Sequence, residues 1–126
     1  MKLKHLFWVQ VVMSTVNGLS ALLMPVTWLG LYGMPDVNAG TAATASALGA
    51  ALLSYAIVAF FARDSYPSEA RKAIVIAFCV THLLGGIVLM LAVLAGTMSA
   101  MGWMGVFLYW IMALGYAYFW FIKKED

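Results

Sequence analysis

Polar residues in this chain fall as brief punctuation between long apolar runs. No Asp, Glu, Lys or Arg occurs between positions 5 and 35, 37 and 62, or 73 and 122. A helix that crosses a membrane needs about 20 apolar residues to span a hydrocarbon core of about 30 Å. Four such segments fit, at about 5–24, 38–62, 69–95 and 103–122. Between the first two, "PVTWLGLYGMPD" (25–36) mixes two prolines, two glycines, a tryptophan and a tyrosine. Aromatic rings settle at headgroup level, so 25–35 is predicted to lie at the interface as a turn or short helix. Asp36 or Asn38 can cap the second long helix. "RDSYPSEARK" (63–72) is the one strongly polar internal loop, and "GTMSAMG" (96–102) is a hinge before the last helix. The links are short, so consecutive helices pack as neighbours. The predicted fold is all-α: one domain over 1–126, a membrane-embedded antiparallel four-helix bundle.

Composition agrees. The chain is 65% hydrophobic and 10% charged, against about 25% charged in a soluble domain, and its mean hydropathy is +0.96. All seven Lys and Arg fall in the N-terminus, the 63–72 loop and the C-terminal tail, while the opposite loops carry only Asp36. By the positive-inside rule both termini and the middle loop face the cytoplasm, as in a multi-pass protein of a bacterial inner membrane. The basic residues Arg63, Arg71, Lys72, Lys123 and Lys124 then meet the inner leaflet, where attraction to anionic lipid accounts for them. The net charge of +2 therefore implies no nucleic-acid partner. Lys2 and Lys4 precede an apolar stretch, as in a signal peptide, but "NGLSAL" puts Leu19 where cleavage prefers a small residue. The first helix reads as retained.

The second helix is rich in small residues, with Ala42, Ser46 and Gly49 on one face and Ala43, Ala47 and Ala50 on the next. Lipid is as apolar as a helix surface, so association depends on close backbone approach. This helix is therefore expected to be the packing hub.

Chemistry has few carriers. Gln10, Ser14 and Asn17 share a face of the first helix, and Tyr109 and Tyr116 share a face of the last. His82 stands alone in "IAFCVTHLLGGIV" (76–88) with Gly85 and Gly86 one turn on. An ionisable residue at membrane depth is a functional-site hypothesis. Asn17 lies twelve residues from His5, His82 thirteen from Glu69, and Tyr109 thirteen before Ile122. All three are thus expected near one depth, with Gly85 and Gly86 leaving room for a helix or a ligand beside the imidazole. His82 can serve as a structural hydrogen-bonding group, a ligand contact for a lipophilic headgroup, a haem or metal ligand, or one step of a proton path. A lone histidine makes no metal site, so no metal and no cofactor is required by the sequence. Cys79 is the only cysteine, and P-loop, H-E-x-x-H, G-x-S-x-G and C-x-x-C patterns are all absent.

A first helix ending at Pro25 with an interfacial segment, a small-residue helix running into "AFFARDSYPSEARKAIV", and a third helix with "THLLGGIV" together resemble the small four-helix DoxX-like bacterial membrane proteins. The likeness is one of architecture over most of the chain. It implies an association with quinone-linked or sulfur-linked redox partners and carries over no catalytic residue.

These features lead to an expected non-catalytic integral membrane protein, a small subunit or accessory of a larger membrane complex. Its partners would be the bilayer and other membrane subunits or copies of itself. The alternative is a binder or redox carrier of a lipophilic cofactor (quinone, isoprenoid or haem) centred on His82, with Asn17, Tyr109, Gly85 and Gly86 as companions.

Overall fold

The computed structural model describes residues 1–123. Five helices follow in order: α1 (Leu3–Leu23), α2 (Pro25–Leu31), α3 (Ala39–Ala62), α4 (Glu69–Leu94) and α5 (Gly102–Phe121). No strand occurs among the described residues. The four long helices have 21, 24, 26 and 20 residues and are apolar enough to cross a membrane. At about 1.5 Å per residue even the shortest spans about 30 Å.

The breaks have local causes. Pro25 lacks the N–H that would continue α1 and has the φ suited to a first turn, so it ends α1 and opens α2. The Asn38 side chain accepts from the Thr41 amide at 2.9 Å and caps α3. Ser68 does the same for α4, accepting from the Arg71 amide at 3.1 Å. Gly33 and Gly96 sit at positive φ, 74° and 77°. There they let the chain fold back so that Met34 N–H reaches Leu29 O and Thr97 N–H reaches Ala92 O, closing α2 and α4.

The helices form a ring in which α1 packs closely on α3 and α4 closely on α5, while the seams between the two pairs are looser. A methyl added at Gly49 would lie 2.5 Å from the Leu22 nitrogen and 2.7 Å from the Gly18 carbonyl oxygen, so the α1 and α3 backbones touch there. Ser46 Oγ also donates across to Leu22 O at 3.3 Å. Only one of the two predicted small-residue faces is used: Ala42, Ser46 and Gly49 turn inward with Ala45, while Ala43, Ala47 and Ala50 are exposed. The expectation of a hub is thereby corrected. α3 has one close long partner, α1, because Gly18 and Gly49 permit backbone contact only on that side.

One end of the bundle gathers the described Lys and Arg. Asp64 accepts from Lys4 (3.1 Å) and from Arg63 Nε (2.8 Å), and Lys123 Nζ donates to Met1 O at 3.3 Å. Behind this rim lies a tight apolar core that includes Phe7, Val75, Phe78, Met112 and Phe119. Two members of the predicted basic surface behave otherwise. Arg71 is buried and donates through Nη2 to Arg63 O at 3.3 Å, because carbonyls at the end of α3 are left without helical partners. Arg63 stacks its guanidinium 3.6 Å above the Phe60 ring centre and 4.5 Å from that of Trp8. Lys72 and Lys123 remain exposed, and Lys124 lies outside the described residues.

Candidate functional site

Toward the other end, the looser seams between the helix pairs leave a partly open cavity of about 30 Å³. Roughly 10–15 Å³ accommodates one water, so there is space for about two. Its lining is polar for a membrane interior: Gln10, Ser14 and Asn17 of α1, Trp28 and Tyr32 around α2, Tyr55 of α3, Thr81 and His82 of α4, and Tyr109 of α5. Met13, Leu52 and Leu108 complete it.

His82 is 5% exposed. Its Nδ1 lies 2.6 Å from the Phe78 carbonyl oxygen, one turn back on α4. A carbonyl only accepts, so Nδ1 carries the proton and Nε2 of the neutral ring is an acceptor. No hydrogen bond from a described residue reaches Nε2. The ring is wedged between those of Tyr109 (centroids 5.3 Å apart) and Tyr116 (5.9 Å).

The neighbouring polar groups are arranged in two sets. Nearer the basic end, Gln10 Nε2 donates to Ser14 Oγ at 2.7 Å and Tyr116 OH donates to Gln10 Oε1 at 3.3 Å, tying α1 to α5. Nearer α2, Asn17 Oδ1 accepts from Trp28 Nε1 (3.1 Å) and from Tyr32 OH (3.0 Å), while its Nδ2 donates to Met13 O (3.0 Å). Burial, with Tyr109 adding to it, pushes the Tyr32 hydroxyl up to about 12, so it stays a neutral donor.

Of the residues expected together, His82, Asn17 and Tyr109 do line one cavity. Asn17 nonetheless bonds to α2 and not to His82, since its face of α1 turns toward Trp28 and Tyr32. Gly85 and Gly86 do not line the cavity. A methyl on Gly85 would lie 2.5 Å from Tyr109 Cε1, and the Trp110 ring occupies the space at Gly86. The gap beside the imidazole is therefore filled by α5. Tyr55, Thr81, Trp28 and Tyr32 join the lining without having been expected there. The four-residue spacing of Trp28 and Tyr32, one turn on one face, is the available signal for that pair.

A porphyrin is far larger than this space, and no cluster of three His, Cys, Asp or Glu that could hold a metal exists among the described residues. The residues present therefore do not fit haem. Fold and site together define a multi-pass helical membrane protein with a small polar cavity between two helix pairs. Comparison with known proteins finds no matching family, no similar curated protein and no similar solved structure.

Proposed function

We propose that the protein binds the polar head of a small neutral lipophilic molecule in the cavity between the α1/α3 and α4/α5 pairs. The observation that carries this reading is His82 Nε2, an acceptor without a partner among the described residues, on a residue 5% exposed and lining a polar cavity. Nε2 is open to the cavity, and a molecule that supplies a donor there gains a hydrogen bond worth about 0.5–1.5 kcal/mol net. No described Asp, Glu, Lys or Arg lines the cavity, which favours neutral heads. The expectation of an accessory subunit rests on short exposed loops and on a last helix with large residues on every face, whereas ligand binding accounts for the polar groups placed around His82.

The surrounding assignment is an inner membrane with the Lys- and Arg-rich end cytoplasmic, supported by the gathering of those residues at one end. Reporter fusions at the loops on either side test it.

The functional test is extraction. Protein purified in mild detergent is washed and extracted with organic solvent, and the extract is compared by mass spectrometry with that of His82→Leu. A stoichiometric lipophile present in the first and depleted in the second is expected. An extract holding only bulk membrane lipid, with a second polypeptide in the native mass spectrum, would replace this reading with the subunit one.

A further inference from the structure

The tautomer of His82 limits which heads the cavity takes. With the Phe78 carbonyl holding the proton on Nδ1 at 2.6 Å, Nε2 presents a lone pair and no hydrogen. A quinone, aldehyde, ester or ether head offers acceptors alone and sets lone pair against lone pair at this nitrogen. A head that pairs with Nε2 has to donate.

Space and charge narrow the choice further. About 30 Å³ admits a group the size of roughly two waters, which suits a hydroxymethyl end. No described Asp, Glu, Lys or Arg lines the cavity to balance an ammonium or a carboxylate, and an ion without a counter-charge is disfavoured in such surroundings. The hydroxyls of Tyr55 and Tyr109 bond to no described residue and belong to the same lining, so donors are at hand for the oxygen of the incoming group. Met13, Leu52 and Leu108 offer apolar contact for the carbon chain behind that oxygen.

We infer that the ligand is a lipophilic primary alcohol whose hydroxyl donates to His82 Nε2 and whose chain leaves through the open side of the cavity. This rests on the binding function proposed above and names its ligand class. Water shares the hydroxyl chemistry, and the experiment separates the two sources.

The protein is reconstituted in nanodiscs with ¹⁵N-labelled histidine. Dodecanol, dodecanal and dodecyl methyl ether are titrated in turn, each corrected for its partition into bare nanodiscs. The readout is the Nε2 resonance of His82. Dodecanol is expected to shift it saturably, with the aldehyde and ether weaker by about tenfold or more, the ratio for one hydrogen bond of about 1.4 kcal/mol. Leu52→Phe, which narrows the cavity from α3 and leaves the His82–Phe78 bond alone, is expected to abolish the shift while the helical spectrum persists. Equal saturable binding of all three probes, lost in Leu52→Phe, would overturn the alcohol assignment and leave the binding function standing. No saturable shift with any probe would mean that water alone occupies the cavity, and both statements would fall.

Discussion

The ring of Tyr109 occupies the place where a side chain at Gly85 would stand, with Cε1 2.5 Å from the position a methyl carbon would take. The absence of a side chain on α4 is thus what lets α5 bring Tyr109 to within 5.3 Å of the His82 ring, centroid to centroid. Gly85→Ala gains up to about 1 kcal/mol in helix propensity and loses about 1–3 kcal/mol to overpacking. The net expectation is a loss of about 1 kcal/mol in a reversible detergent-unfolding titration. Adding Tyr109→Ala should make the glycine substitution neutral or favourable, because the clash disappears; additive losses in the double variant would show that the two positions do not meet.

Gly49 makes a sterner contact than Gly85. Its neighbours are the Leu22 nitrogen and the Gly18 carbonyl oxygen, which are backbone and cannot rotate aside. Gly49→Ala is therefore expected to be the more damaging change, by about 2–3 kcal/mol. Gly30 supplies the control, since nothing lies within 4 Å of the added methyl; Gly30→Ala should leave stability unchanged or raise it slightly. The same unfolding titration ranks the three, and an equal effect of Gly30→Ala and Gly49→Ala would refute close α1/α3 backbone contact.

Much of the architecture was legible in the sequence, and the reason is chemical punctuation. Pro25, Asn38 and Ser68 mark helix starts by mechanisms that act within one turn, so the elements begin within a few residues of where they were expected. Which faces meet was far less legible. In a soluble helix the buried side is the apolar side, but a membrane helix is apolar all round and only small residues or polar groups signal contact. Ala43, Ala47 and Ala50 look as suited to packing as Ala42, Ser46 and Gly49, yet they are exposed. Counting residues put Asn17 and His82 near one depth, and both line one cavity. It could not foresee that Asn17 would rotate toward α2 and bond to Trp28 and Tyr32. Tyr55 carried no signal at all, being one tyrosine in a helix read for its alanines.

Asn17 anchors α2, because its Oδ1 accepts from both Trp28 and Tyr32. Asn17→Leu removes two interhelical bonds, worth about 0.6 kcal/mol each in comparable proteins, or about 1 kcal/mol in all. The long helices do not depend on them, so the effect should concentrate on 25–33. Amide hydrogen exchange is expected to accelerate there several-fold and to stay unchanged in α4. Uniform acceleration along the whole chain would mean that Asn17 supports the bundle in general.

At the basic end the governing group is Asp64. Hydrogen bonds from Lys4 and then Arg63, reinforced by their charges, hold its carboxyl below the ordinary value of 3.8. A carboxyl whose folded value is depressed stabilises the fold above its unfolded value, and that contribution is lost as pH falls through the folded one. The contacts joining the α1 start to the end of α3 should thus persist at about pH 5 and loosen only below pH 3.8. Carboxyl carbon shifts followed by NMR should give Asp64 a midpoint under 3.8, rising toward that value in Lys4→Met. High salt should have the same direction of effect, since the pair is exposed and screened by solvent. A midpoint that ignores both Lys4→Met and salt would show that neither cation governs this carboxylate, and that the two chain segments are held together by the apolar core behind them.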